Sequence, residues 1–575
     1  MSYREARQID GITRLRQNKF LISGLALIIV LLGAMQITSS ANAATKYNRA
    51  ATVGVGTPAA LHSKYCSAKT GRVAIPWPWS PPCVAPLKKG TKNGGATSKG
   101  VTAKSIKVVY YDSATGPTTC YMYFCQAKDA TTLFSHFYQT WGRKINLVDF
   151  VPTGNTETEQ RADAIRIAAM KPFAVMCEFC GQTLIGALAR DHILTSSYQQ
   201  TESFSSGNQP YIWGLGVDPS SEVYQVAEFA AAALANRPAQ WAGDTTMQTQ
   251  TRKFGVLLPS TQPPSLFSST FSKYDTRGGP APTILPYNYS SGYGISGNAA
   301  EYQQIAPVLV SQLKAAGDNN VVLFTDPTLT TYILTQAASQ NYFPEWTITG
   351  FEYQDVDVFA ESFNQAEWAH AFGLGQTEPR ETATFGPTPY LLYQWYYGNA
   401  VHRNNDATNT NMQGNIGRNG VPLEQMSEFF IGIQLAGPDL TPQTYQQGMF
   451  AFPPSGGSAS KEIGWPQLSF GSHGYFPWKD YGGWDDYAEI WYNPTAVGES
   501  NSGVDLTGTG KYEYIANGKR YVPGSYPTTL PPEFQASGAV DLFSGVPASD
   551  KQPNFTCAGC PSSNHPGNPN VPALD

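Results

Sequence analysis

From about residue 105 to residue 349 the chain alternates two textures. Short runs crowded with β-branched and aromatic residues stand at 106–111, 145–151, 173–176 and 193–195. Between them lie stretches at 130–141, 156–170 and 181–191 whose apolar residues recur every three or four positions. Strand, helix, strand, helix at this spacing predicts a parallel sheet wound by right-handed crossovers. The same rhythm then runs a second time. A helix is expected at 221–235, strands at 253–258 and 282–287, a helix at 299–316, a strand at 321–325, a helix at 330–340 and a strand at 346–349. Two α/β units therefore stand in tandem, although no local sequence repeat relates them.

The flanks are different. Residues 44–100 are rich in Gly, Pro, Ser and Lys and read as an irregular extension. Beyond 349, helices are expected at 389–401 and 423–435, a helix stop at Gly437-Pro438 with a new start at Thr441, and an aromatic strand at 481–492. From about 495 Gly, Pro, Ser and Asn dominate; residues 526–575 read as a Pro/Gly-rich tail, its last 25 residues as loose.

At 575 residues the chain is too long for one core, and 41% apolar residues suffice for two. The net charge is −5. Five cations (Arg4, Arg7, Arg14, Arg16, Lys19) and two anions (Glu5, Asp10) give the first 43 residues +3, so the rest carries −8. A mildly acidic body with scattered charges excludes a nucleic-acid surface, which needs clustered Lys and Arg. After Lys19 comes an uncharged run over 20–37, then small residues including Ala41 and Ala43. This three-part pattern predicts a signal peptide at 1–43, cut after Ala43; the alternative is a retained N-terminal membrane anchor. Both place the body outside the cytoplasm, in the periplasm or at the cell surface.

Export gives the eight cysteines a meaning. Cys66 and Cys83, Cys120 and Cys125, Cys177 and Cys180, and Cys557 and Cys560 form four close pairs, for which disulfides are the default. The inner four follow the first and third strands, and a zinc site is the alternative for them; their connectivity stays open. No cysteine follows the apolar run closely enough to carry a lipid. There is no phosphate loop, no H-E-x-x-H and no G-x-S-x-G, and the seven histidines are scattered. Asp485-Asp486 read as strand neighbours facing opposite ways. No catalytic residue, metal or cofactor is expected.

Gly181, Gln182 and Thr183 open a helix directly after a buried strand. Free backbone N–H groups there favour an anion such as a carboxylate; the plain alternative is that they only cap the helix.

Four segments carry a family resemblance: Gly100-Val-Thr-Ala-Lys-Ser-Ile-Lys before the first strand, Phe179-Cys-Gly-Gln-Thr183 after the third, Gly350-Phe-Glu352 after a late strand, and Asp485-Asp-Tyr-Ala-Glu-Ile-Trp491. In order and spacing over about 101–525 the chain resembles the type I periplasmic binding proteins of branched-chain amino-acid transporters. The resemblance implies two doubly wound α/β lobes joined by a three-strand hinge. It places the first lobe at 101–220 plus 377–450 and the second at 221–376 plus 451–525, with crossings near 211–220, 371–378 and 448–475. It implies a small-molecule ligand, amino-acid-like, amide or short acid, bound between the lobes and handed to the permease of an ABC transporter. It implies that Ser197, Tyr198 and Gln199 form a ligand-contacting turn, against the alternative of a solvated loop. It makes Glu352 the carboxylate that holds a ligand ammonium, against an exposed strand-end Glu. Ser260, Thr261, Thr325, Asp326 and Tyr353 are further strand-end candidates. A sensory receptor ectodomain and a secreted hydrolase or redox enzyme are the rival functions.

Overall fold

The structure is a computed structural model. It describes residues 49–535 and 539–540, apart from 76, 113–123, 155, 178–179, 199, 201, 290–298, 378–391, 393–395, 397–420, 461–465, 498–508, 517 and 536–538. The expected signal peptide or anchor, Cys120, Cys557, Cys560, Gln199, most of the helix at 389–401 and the tail beyond 540 lie outside the described residues.

The first sheet has five parallel strands: β1 (Ser105–Tyr111), β2 (Lys144–Phe150), β3 (Ala174–Met176), β4 (Leu194–Ser197) and β5 (Ile212–Gly214). Their order is β2-β1-β3-β4-β5. Helices α1 (Phe124–Phe137), α2 (Glu157–Met170), α3 (Gln182–Arg190) and α4 (Glu202–Gly207) make the connections. α1 starts and ends earlier than the apolar spacing suggested. α2 begins as its sequence requires: the Thr156 side chain accepts from the Glu159 N–H while Glu159 reaches back, a capping box. Alternate residues of β1 point to opposite faces. Ile106, Val108 and Tyr110 pack with α1, and Val109 and Tyr111 pack with α3, so both faces are covered. Gly100 precedes β1 with φ 73°, and a Cβ there would lie 2.1 Å from the Phe173 nitrogen, so only glycine fits.

Past Val217 the chain crosses to a second sheet through α5 (Pro219–Phe229), whose last turns widen into a π-helical segment, Ala230–Leu234. Asp218 caps α5 by accepting from the N–H groups of Ser220 and Ser221. The second sheet opens with parallel strands β6 (Phe254–Pro259), β7 (Thr283–Tyr287), β8 (Asn320–Leu323), β9 (Glu345–Ile348) and β10 (Ala371–Gly375), in the order β7-β6-β8-β9-β10. This repeats the order of the first sheet. α5 and α6 (Pro264–Tyr274) cover one face; α7 (Ala299–Ala316) and α8 (Pro327–Ser339) cover the other.

The later chain returns to the first sheet and leaves it again. α9 (Val421–Ala436) packs on α1, with Phe134 and Phe430 ring centroids 5.9 Å apart, and on α10 (Pro442–Phe450). The chain then re-enters the second sheet as β11 (Tyr487–Val497), antiparallel to β10, followed by β12 (Thr509–Ile515), β13 (Arg520–Tyr521) and β14 (Ala539–Val540). The Gly- and Ser-rich texture after 495 thus hides paired strands. Asp485 and Asp486 immediately precede β11 rather than lying in it. Asp485 accepts from the Gln467 side-chain amide at 2.8 Å and Asp486 from the Gln467 N–H at 3.0 Å.

The N-terminal extension holds two short helices, Arg49–Thr52 and Pro58–Leu61, and a small antiparallel pair, Cys66–Ser67 with Arg72–Val73, in an otherwise irregular path, and it is part of the core. A Cys66–Cys83 disulfide closes it. Trp77 and Trp79 are buried; their indole N–H groups donate to Ser427 Oγ (2.6 Å) and to the Pro466 carbonyl (2.8 Å).

Candidate functional site

In parallel α/β sheets the carboxyl ends of the strands are the natural place for a ligand. Here the ends of β4 and β9 meet. Ser197 closes β4 and Tyr198 follows it; Gly350-Phe-Glu-Tyr353 follows β9. The rings of Tyr198 and Tyr353 stack across the two sheets, 5.7 Å between centroids and 16° between planes. Tyr198 also meets Trp484 edge-on at 5.8 Å, and Trp484 touches Trp79 of the extension at 6.5 Å. An aromatic column therefore joins the extension, the last crossing, the first-sheet turn and the second-sheet turn.

The turn after β9 has an unusual backbone. Gly350, Glu352 and Tyr353 all have positive φ (80°, 50° and 67°). A Cβ on Gly350 would lie 3.2 Å from the Gln376 nitrogen, and the Gln376 amide donates to the Gly350 carbonyl at 2.7 Å. Left-handed conformations at Glu352 and Tyr353 cost of order 1–3 kcal/mol each. They aim both side chains inward. Glu352 is 8% exposed, which excludes the alternative of an exposed strand-end carboxylate. Its Oε1 accepts from the Tyr289 hydroxyl at 2.7 Å, and its Oε2 has no hydrogen-bond partner. Burial, opposed by Tyr289 and reinforced by the charge of Asp326, pushes the Glu352 carboxyl up to about 7.

The other second-lobe candidates divide. Thr325 is fully buried, its hydroxyl 2.8 Å from that of Thr330, within reach of the Gln354 amide. Asp326 caps α8 by accepting from the Leu329 N–H at 2.9 Å and also accepts from the Tyr302 hydroxyl at 2.8 Å. Both are used in holding the fold. Ser260 and Thr261 are exposed after β6.

On the first sheet, Cys177 and Cys180 form a disulfide directly before α3, which removes both from the zinc set. Gly181 is the N-cap of α3; Gln182 is exposed and Thr183 half-buried. A Cβ on Gly181 would meet the Gln160 side chain at 2.6 Å, so an α2 side chain lies over this turn. Two carbonyls of the disulfide turn are held from outside: Gln425 of α9 donates to Cys177 at 2.8 Å, and Gln200 to Cys180 at 3.4 Å. Ser197 is buried, its hydroxyl 3.4 Å from the Gln200 amide. These contacts replace the solvated-loop reading of Ser197 and Tyr198 with a packed turn. Glu428 of α9 lies beneath it, accepts from Ser196 Oγ at 3.2 Å and is pushed by burial up to about 8.

The sequence reading does not single out Glu222, Tyr289 or Glu428; it takes the aromatic stretch 475–491, which holds Trp484 and Tyr487, as packing of the second lobe, with a pocket lining as the alternative. Glu428 has a usable signal, since it sits in a predominantly apolar helix where a carboxylate has little solvent face to occupy. Glu222 has none, because Ser221, Gln225 and Glu228 give its helix an ordinary polar stripe in the sequence. Among the described residues no group of three or more His, Cys, Asp or Glu is placed to hold a metal ion.

No protein-family model matches the sequence, and no curated protein matches it. Solved structures do. The chain is similar to a fatty acid ABC transporter substrate-binding protein from Thermomonospora curvata (13% identity, 78% of this chain and 100% of that chain, TM-score 0.43). It is also similar to a periplasmic binding protein type 1 from Bordetella pertussis Tohama I (13%, 64% and 98%, TM-score 0.39). A third likeness is to a solute-binding protein of an ABC transporter from Rhodopseudomonas palustris BisB5, solved with 3,4-dihydroxybenzoic acid (12%, 74% and 99%, TM-score 0.41). The fold rests on the chain's own topology: two wound parallel sheets of the same strand order, crossed three times by the chain, with strand ends meeting between them, which is the type I periplasmic binding fold.

Proposed function

We propose that this chain is a non-catalytic, extracytoplasmic solute-binding protein. It captures a small polar or amphipathic solute between its two sheets and delivers it to the permease of an ABC-type transporter. The observation that carries the reading is the Tyr198–Tyr353 stack beside the buried Glu352, where turns from two separate sheets converge at their strand ends. A ligand touching both turns binds the closed arrangement better than an open one, and that difference is what drives closure. Gly181, Gln182 and Thr183 supply the first-sheet side of the cleft, with N–H groups suited to a polar or anionic part of the solute. Exported delivery follows from the N-terminal pattern of the sequence. Among the described residues no helix is long and apolar enough to cross a membrane.

The test is a thermal-shift screen of the purified chain against amino acids, amides, short acids, amines and aromatics. A true ligand at 100 times its dissociation constant adds about 2.7 kcal/mol of stability. Tyr353→Ala should then weaken the hit by about two- to tenfold in calorimetry, the worth of one aromatic pair. Unchanged melting with every class of small molecule overturns the reading.

A further inference from the structure

Two side-chain amides and a carboxyl converge on the first-sheet turn, each with one end used and the other bare. The Gln425 amide nitrogen donates to the Cys177 carbonyl at 2.8 Å. That of Gln200 donates to the Cys180 carbonyl and to Ser197 Oγ, both at 3.4 Å. A carbonyl only accepts, so these bonds fix which end of each amide is nitrogen. The other ends, Oε1 of Gln425 and Oε1 of Gln200, are buried and have no hydrogen-bond partner. One turn along α9 from Gln425, Glu428 repeats the arrangement: Oε2 accepts from Ser196 Oγ at 3.2 Å and Oε1 has no partner.

The groups are neighbours through what they hold. The Cys177 N–H donates to the Ser196 carbonyl at 3.0 Å, so all three side chains grip the adjoining ends of β3 and β4, strands about 4.8 Å apart. Buried acceptors without a donor are costly, and three at one pair of strand ends call for a donor. The same turn offers donors. α3 starts directly beyond Cys180, and its N-cap, Gly181, makes no side-chain bond to the first N–H groups, which a helix leaves without intrahelical acceptors.

We propose that Gln200 and Gln425 bind the solute, and that with the first N–H groups of α3 they form a subsite for a primary carboxamide. Its NH2 donates to the two Oε1 atoms and its carbonyl accepts from the helix N–H groups. This rests on the solute-binding reading above and narrows it. A carboxylate, which the helix start alone would favour, meets the N–H groups but sets its charge against bare acceptor oxygens. An ammonium meets the acceptors and leaves the N–H groups unmet. Burial, opposed by the Ser196 hydroxyl, holds the Glu428 carboxyl at about 8, so near pH 7 it is mostly uncharged and gives an ammonium little to pair with.

Isothermal calorimetry on the purified full chain at pH 7 tests this with two matched sets: butyramide, butyrate and butylamine, and benzamide, benzoate and benzylamine. In every set that binds, the amide should bind at least about tenfold tighter than the acid and the amine. Gln200→Ala and Gln425→Ala should each weaken the amide by about three- to tenfold and change the acid by no more than about twofold, whereas a merely structural role would lower both alike. Equal affinity within a set, preference for the acid or the amine, or a hit in the wider screen that carries no primary amide overturns the proposal and leaves the solute-binding function standing. Binding of nothing in these sets or in the wider screen overturns both. The ranking on the unmodified chain decides the matter even if the variants fail to fold.

Discussion

Glu352 shows how a single residue can be costly in the empty fold and useful to it. Its backbone is left-handed and its carboxyl is held up at about 7, against an ordinary 4.5. Because the folded value is the higher one, this carboxyl favours the fold below about pH 4.5, and that contribution is lost as pH rises through about 7. The difference amounts to about 3 kcal/mol at pH 8. Glu352→Gln should therefore melt close to the unmodified chain at pH 4.5 and clearly above it at pH 8, by differential scanning fluorimetry. A constant offset across that range would contradict the burial of this group. Glu352 is singled out in the sequence only through the family resemblance of Gly350-Phe-Glu352. Its depth was not legible, since Tyr289, whose hydroxyl meets it, and Tyr198, whose ring stacks on the neighbouring Tyr353, come from distant segments. Thr325 and Asp326 illustrate the converse. Their strand-end position was read correctly, but the Thr330, Gln354 and Tyr302 groups that occupy them are set by tertiary packing.

At the scale of elements, the joints between the sheets matter most. Arg520 of β13 donates to Asp486 Oδ1 at 2.8 Å, to the Asp486 carbonyl at 2.8 Å and to the Gln376 carbonyl at 3.1 Å, all fully buried. Asp486 also accepts from the Ser458 N–H at 3.0 Å and the Gln467 N–H at 3.0 Å. One ion pair thus fastens the end of β10, the last crossing and the β11–β13 pair. Asp486→Ala leaves Arg520 buried and uncompensated and should cost about 3–5 kcal/mol in urea unfolding. Asp486→Asn, which keeps an acceptor oxygen, should cost less. The wound parallel part of each sheet was legible because its strands are compact β-branched runs between amphipathic helices. β10 and β12 were not. Ala-Phe-Gly-Leu-Gly in β10 has no β-branched residue, and β12 lies in a Gly-rich stretch, so their pairing, β10 with β9 and β11 and β12 with β11 and β14, makes them strands.

Over the whole molecule, buried carboxyls set a common trend. Burial pushes Glu367 and Glu428 up to about 8, Glu228 and Glu489 to about 7, and Asp218, Asp318 and Asp355 to about 6. Between about pH 5 and 8 the folded chain therefore binds more protons than the unfolded one, and stability falls as pH rises. The melting temperature should be higher at pH 5.5 than at pH 8; a maximum at pH 8 would refute this. Asp163 runs the other way. Its carboxyl is held below the usual range: burial pushes it up, but hydrogen bonds from Thr153 and Arg166 outweigh that, so its contribution is lost only in stronger acid. The two-lobed plan was legible from the doubled rhythm of strands and helices. That the extension belongs to the core was not, because Trp77-Pro-Trp79 has no periodicity and finds its partners some 350–390 residues later. That same extension has an optical consequence. Trp79, Trp484 and Tyr198 form a chain of touching chromophores that ends on the Tyr353 ring of the opposite sheet. Any motion that parts the sheets separates the last pair and changes the surroundings of Trp484, so opening and closing would be readable in the protein's own ultraviolet emission, without an added dye.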